Sequence, residues 1–256
     1  MCGEGTEEPI VLCDGSDRLR FSGTNHGGNV TGVPRVALEV GWSFLLVDGA
    51  CRYWSMTEPD GPIRTGMLDE AQETAFAREL ELGSWSSGPG SPGGCVDASG
   101  VSLRFLDEEL MAEPCTANRV TDAYQGWLET LHASGAPLNG EVRYSVADAS
   151  NDGWVVGNTT NIASSWPLQS DPEDALVAPE AEESAEPSIA SSEDAEALRG
   201  ARDAYVARAP ATGPWLRVPL VLEVAGAEPR YYNLAMRDVT PFERDGELAP
   251  DDFFAP

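Results

Sequence analysis

Residues 42–82 constrain the fold more than any other stretch, because strand alternation, turn chemistry and helical period follow one another there without a gap. Ser43-Phe44-Leu45-Leu46-Val47 is an apolar run of strand length, and residues 51–56 alternate aromatic or sulfur-bearing side chains with polar ones. Asp48-Gly49-Ala50 stands between them. Asp-Gly between two apolar runs predicts a β-hairpin, since glycine accepts the positive φ of a tight turn or its bulge. After the breaker Pro59-Asp60-Gly61-Pro62, apolar Leu68, Ala71, Ala75, Phe76, Leu80 and Leu82 recur among Asp69, Glu70, Glu73, Arg78 and Glu81. That spacing predicts a helix, ended by Gly83 as its C-cap. The rest of the chain is expected to build on this ββα unit.

Around it the pattern is coarser. Residues 1–9 read as a flexible tether. Short strands are expected at 9–13, 19–22 and 35–40, separated by the turn Asp14-Gly15-Ser16-Asp17 and by a loop at 23–29 rich in glycine and asparagine. Residues 101–105 and 141–146 alternate as strands. Between them, Val120, Tyr124, Trp127, Leu128 and Leu131 recur at helical spacing, predicting a helix over 119–134 stopped by Gly135. Residues 169–192 hold no basic residue and few aliphatics, so they read as an acidic linker or excursion. A helix then runs from Ser191 or Ser192 to about residue 208, with acids at its start and Arg199, Arg202 and Arg208 toward its end, as the helix dipole favours. Residues 215–224 and 231–239 suggest a closing hairpin. Successive hairpins favour an antiparallel sheet. The expected fold is therefore α+β, mainly antiparallel with about three helices: a core domain over 10–168, the linker, and a helix plus hairpin over 193–256 that packs on the core or forms a small second domain.

Charge excludes whole classes of partner. The 43 acidic residues against 16 basic ones leave a formal net charge of −27, and binding to phosphate backbones or anionic lipid draws its favourable energy from cations. Nucleic acid is not an expected partner. All 16 basic residues are arginine, so lysine Schiff-base chemistry and a P-loop lysine are impossible. No run of 18 apolar residues occurs, so no membrane-spanning helix is expected.

The cysteines point to a compartment. Met1-Cys2-Gly3-Glu4-Gly5-Thr6-Glu7-Glu8-Pro9 has the form of a bacterial lipoprotein start, with Cys2 as the lipidation site before a polar, acidic tether. Cys13, Cys51, Cys95 and Cys115 fit two disulfides in an oxidising compartment. Three pairings are open to four thiols; Cys13 with Cys51 and Cys95 with Cys115 is the expected one, because each bridge then closes a local loop. No CxxC occurs, which weakens zinc and thioredoxin-like readings.

Catalytic signatures are scarce. His26 and His132 are the only histidines, there is no Gly-x-Ser-x-Gly elbow, and no HExxH. His132, near a helix end, is expected to meet the last carbonyls of its helix. The expectation is a protein that is not an enzyme and needs no cofactor. Calcium is the one ion with candidate ligands: Asp14 and Asp17 in one loop, Asn151 and Asp152 in another, though turn chemistry accounts for both loops. A carboxylate-based hydrolase is the remote alternative. Of the seven tryptophans, Trp54, Trp127 and Trp215 lie in periodic elements and are expected in the core, whereas Trp85, Trp154 and Trp166 lie in polar loops and are candidates to stack on a carbohydrate or protein ligand.

The Cys-Gly-acidic tether, the lysine-free composition, and the hairpin Val47-Asp48-Gly49-Ala50-Cys51-Arg52-Tyr53-Trp54 leading to a helix behind Gly66-Met67-Leu68 together resemble uncharacterised secreted lipoproteins of myxobacteria. The resemblance covers about the first half of the chain. It implies an extracytoplasmic place, anchored in the envelope or secreted, and supplies no activity. The expected role is a non-enzymatic binding or scaffold module of the bacterial cell envelope, touching the membrane only through its lipid; the alternative is a calcium-dependent or carbohydrate-binding module.

Overall fold

The computed structural model describes residues 10–26, 43–58, 61–85, 100–112, 119–148, 164–176, 188–207, 220–224 and 230–244. Within these the fold is α+β, built on two sheets.

The central hairpin forms as its sequence requires. β2 (Ser43–Asp48) and β3 (Arg52–Met56) pair antiparallel with Leu46 opposite Trp54 and Val47 opposite Tyr53. The turn works differently from the Asp-Gly expectation. The residue with positive φ is Cys51, at 64°. Gly49 is needed for space instead: a Cβ there would lie 2.1 Å from Asp14 Oδ1 and 2.4 Å from Ser16 Oγ. An adjacent loop presses on the turn.

β1 (Leu19–His26) lies between β2 and β5 (Gly100–Phe105), antiparallel to both; β6 (Glu108–Ala112) flanks β5. On the other side β3 pairs with β4 (Arg64–Met67), which pairs with the two-residue β7 (Ala136–Pro137). The result is a seven-stranded antiparallel sheet ordered β6-β5-β1-β2-β3-β4-β7. β4 had no periodic signal; four residues show little alternation, and pairing alone makes them a strand. Residues 10–12, expected as a strand, make none, although Leu12 is fully buried. The expected strand at 35–40 lies outside the described residues.

Two helices cover one face. α1 (Glu70–Glu79) opens on a capping box in which the Asp69 carboxylate accepts the Gln72 N–H and the Gln72 side chain accepts the Asp69 N–H. Gly83, at φ 77°, follows the helix end in the left-handed conformation. α2 (Arg119–Ser134) coincides with the predicted span and buries Val120, Tyr124, Leu128 and Leu131. These pack with Phe76, Leu80, Phe21, Leu45, Val47 and Tyr53 into the first core. The opposite face carries Phe44, Leu46, Trp54 and Met56. Every residue of β2 is therefore buried: alternation sends Leu45 and Val47 to one core, Phe44 and Leu46 to the other.

The second sheet is ordered β10-β8-β12-β11-β9. β8 (Val142–Asp148) pairs antiparallel with β12 (Arg230–Asp238) and with β10 (Ser188–Ala190); β12 pairs antiparallel with β11 (Leu220–Val224), which runs parallel to β9 (Ser164–Ser165). α3 (Ser192–Val206) lays Ala195 and Leu198 against Val142, Tyr144, Val146, Leu234 and Met236. The sheet boundary differs from the one composition suggested, since β8 belongs here and not with the first sheet. The acidic segment 169–192 also contributes structure: a 3-10 turn at Pro172–Ala175 buries Pro172 and Ala175, and β10 joins the sheet. Too few aliphatics mark these pieces, because each is short and leans on β8. Residues 177–187 lie outside the described residues, as do 1–9 and 245–256.

A short helix, α4 (Pro241–Arg244), joins the two regions. Its Phe242 packs edge-on to Trp54, with ring centroids 4.9 Å apart, on the second face of the first sheet. No helix among the described residues is long and apolar enough to cross a membrane.

Candidate functional site

Two polar centres stand out against the apolar cores. The first lies at the hairpin turn. A disulfide joins Cys13 to Cys51, with Cα atoms 5.2 Å apart, as the sequence predicted. Hydrogen bonds hold the loop behind it on the turn: Gly15 N–H donates to Gly49 O at 2.6 Å and Gly49 N–H to Arg18 O at 2.9 Å. Asp48, fully buried, accepts the Arg52 N–H and Nε–H at 2.7 Å each. That hydrogen bond to the buried carboxylate raises the Arg52 pKa above its ordinary value and keeps the guanidinium charged. Arg52 continues to Asp17 at 2.6 Å and lies over the Trp54 ring at 5.7 Å. Asp14 pairs with Arg20 at 3.0 Å and accepts the Ser16 N–H at 2.9 Å, an Asx turn.

The calcium candidates Asp14 and Asp17 are thus each held by a different arginine. An ion would have to displace those pairs, and turn and ion-pair geometry accounts for both carboxylates. Cys13, Cys51 and Glu73 offer ligand atoms within 4.8 Å of one another, yet both sulfurs are spent in the disulfide and Glu73 Oε1 accepts the Cys13 N–H at 3.0 Å. A soft-metal site draws on thiolates, which this cluster lacks. The chemistry of this centre is that of a staple.

The second centre was not visible in the sequence. Asp238, at the end of β12 and 1% exposed, accepts from Arg199 Nε at 2.7 Å and Nη2 at 2.5 Å, with Arg202 Nη1 3.6 Å from its other oxygen. Arg199 Nη2 also donates to Gly140 O at 2.6 Å. Arg199 and Arg202 turn inward from α3, so their role exceeds the complement to the helix dipole expected of them. One turn further on, Glu243 Oε2 accepts the Thr240 N–H and hydroxyl at 2.9 and 3.0 Å. Its Oε1 pairs with Arg237 and lies 3.9 Å from Arg143. Arg143 and Arg237 are register partners on β8 and β12. Like charges directly opposite repel, so Glu243 neutralises a cross-strand conflict. Burial pushes the Glu243 pKa up, but the Arg237 charge and the hydrogen bonds from Arg237 and Thr240 outweigh it and hold the carboxyl below its ordinary range. A carboxylate held this firmly is a poor general base.

His132 resembles a catalytic residue most closely and is placed as a structural one. Its Nδ1 lies 3.2 Å from Ser55 O and 3.4 Å from Ser55 Oγ. Bonding to the carbonyl makes Nδ1 the donor, which leaves it unable to take the hydroxyl proton, and Ser55 is fully buried. His132 therefore binds β3 and not the last carbonyls of its own helix. Burial lowers its pKa. His26 ends β1 opposite Gly100.

The tryptophan candidates divide. Trp85 belongs to the first core, only 7% exposed, and its Nε1–H donates to Leu80 O at 2.9 Å; the polar residues around it hid a core side chain, and it cannot stack on a ligand. Trp166 is half-buried on the second core and donates to Ser170 O at 2.6 Å. Trp54 is core as expected, and Trp127 is half-buried with its Nε1–H on Glu79 at 3.0 Å. Trp154, Trp215, Asn151, Asp152, Cys2, Cys95 and Cys115 lie outside the described residues. Comparison with known proteins gives no relative: no family model, curated protein or solved structure matches this chain.

Proposed function

We propose that this chain is an exported bacterial envelope protein, lipid-anchored through Cys2, that works as a non-enzymatic binding or scaffold module for a protein or carbohydrate ligand. The Cys13–Cys51 disulfide carries this reading. Such a bond is at home in an oxidising compartment, and it fastens the segment that follows Cys2 to the central hairpin. The polar groups of both centres are engaged in structural pairs, which favours binding over chemistry. The net charge of −27 speaks against nucleic acid as the ligand.

The test is to produce the chain behind a lipoprotein export signal in a bacterial host and map its peptides without reductant. The expected outcome is a Cys13–Cys51 bridge, an acyl mass on the Cys2 peptide, and recovery in the envelope fraction. The bridge closes a 38-residue separation, so its reduction should cost about 4 kcal/mol by the chain-entropy relation. Cytosolic protein with both thiols alkylatable would overturn the location. Turnover in a panel of ester, peptide and glycoside substrates, abolished by replacing a pair of carboxylates, would overturn the non-enzymatic role.

A further inference from the structure

Six large hydrophobic side chains are exposed among the described residues, and four of them, Ile10, Val11, Met67 and Leu106, gather at one end of the seven-stranded sheet. Their exposures are 44%, 49%, 68% and 48%. The register fixes the shared end: Leu19 at the start of β1 faces Asp48 at the end of β2, Arg52 at the start of β3 faces Met67 at the end of β4, and Phe21 near the start of β1 faces Phe105 at the end of β5. Leu106 follows Phe105 in the turn, its N–H donating to Arg20 O at 3.2 Å. Ile10 and Val11 are held there because Arg20 donates to Val11 O at 2.9 Å, Leu12 is buried and Cys13 is bridged to Cys51.

The chain toward Cys2 leaves from this same end. Seven residues stand between Cys2 and Ile10, and the eight steps from one to the other reach at most roughly 28 Å at full extension. A lipid on Cys2 therefore keeps this end of the sheet near the bilayer and gives the exposed apolar side chains a surface to meet. The local charge suits it. Residues 10–20, 48–52, 64–70 and 104–108 together carry seven acidic residues against five arginines, close to balance in a chain of net −27. This end can approach a zwitterionic headgroup layer without the repulsion the whole molecule would meet at an anionic one.

Resting on the lipid-anchor reading, we infer that the end of the first sheet bearing Ile10, Val11, Met67 and Leu106 is a membrane-contact surface that docks on zwitterionic lipid and fixes the orientation of the anchored protein. Apolar side chains at such a surface insert into the boundary between headgroups and acyl chains. The opposite end of the sheet, where β1 ends at His26 and β2 begins at Ser43, then faces away from the bilayer.

The experiment imposes the anchor chemically, so its result does not depend on whether cells lipidate Cys2. The full chain, freed of Met1, is ligated through its N-terminal Cys2 to a dipalmitoyl lipid thioester and placed on phosphatidylcholine vesicles. Hydrogen exchange is compared with that of the unlipidated chain beside the same vesicles. Peptides covering 49–52, 66–68 and 104–108 should exchange several-fold more slowly when anchored, with 230–238 unchanged. Met67→Asp with Leu106→Asp should abolish that protection while the protein still floats with the vesicles; both residues are exposed, so circular dichroism should be unaltered, and Met67→Asp alone should lose part of the effect. Protection that is absent, that appears on other strand ends, or that survives the double variant overturns the docking surface. An acyl mass missing from cell-made protein would instead overturn the lipid-anchor reading and leave this result legible.

Discussion

The two sheets solve the same problem by different means. The first is buried on both faces, and its central strand β2 sends alternate side chains into two apolar cores. The second buries one face under α3 in a core of Val142, Tyr144, Val146, Leu198, Leu234 and Met236, with Asp238 held by Arg199 and Arg202 at its edge, and on the other face it sets Arg143 and Arg237 against Glu243. Aromatic and aliphatic area drives the first, since each large side chain taken from water contributes about 1.5 to 3 kcal/mol. The second region has such a core too, but adds buried charges that must all remain paired, because a buried ion left alone costs far more than a pair contributes. The helix α4 ties the two together, with Phe242 in the apolar region and its neighbour Glu243 in the charged one.

The largest effect should come from the apolar side. Phe76 meets Phe21 at 5.0 Å and Trp127 at 5.4 Å, both edge-on, and is fully buried. Phe76→Ala should cost about 5 kcal/mol, the upper part of the range for deleting a core aromatic, and urea unfolding would measure it. A cost under about 1 kcal/mol would show that this core is loosely packed and would erase the contrast between the regions.

A smaller effect, but a more selective one, should come from Glu243→Gln. It leaves Arg143 and Arg237 facing each other without a counter-charge, at a cost of about 3 kcal/mol. Acid should mimic it. The folded pKa of Glu243 lies below its ordinary value, so the stability it contributes is present above the unfolded value near 4.5 and is lost as pH falls through the folded one. Amides of β8 and β12 should lose protection from exchange in that window before those of β2 and β3, and the difference should vanish in the variant. Simultaneous loss in both sheets of the native protein would refute a charge-dependent second region.

The smallest effect sharpens the comparison from the surface. Asp69→Ala removes the capping-box acceptor of α1 and should cost about 1 kcal/mol. Thermal unfolding should register it without altering the acid response of β8 and β12. A change in that acid response would mean that the two regions are coupled more tightly than α4 alone provides.

Much of the first region was legible in the residues. The hairpin of β2 and β3, the span of α2 and the Cys13–Cys51 bridge follow from alternation, from a three-to-four spacing of large side chains, and from the preference for closing a local loop. Each is a property of neighbours in the chain, or of two cysteines that flank one loop and one turn. The closing hairpin and α3 were visible for the same reason.

What tertiary structure decided was the choice among partners. β8 alternates equally well for either sheet, and only its pairing with β12 and β10 places it in the second. Gly49 looked like a residue chosen for positive φ, but the approach of the Asp14–Ser16 loop gives it its function, and Cys51 carries the left-handed conformation. Trp85 sits among serines and glycines that suggest a loop surface, yet the space beside Phe21 draws it into the core. The arginines of α3 read as a complement to the helix dipole until Asp238, more than thirty residues away in the chain, turns them inward. Sequence period reports which side chains must leave water. It does not report which distant surface they leave it for, because that depends on loop closures and on pairings between residues far apart in the chain, whose energies appear only once both partners are in place.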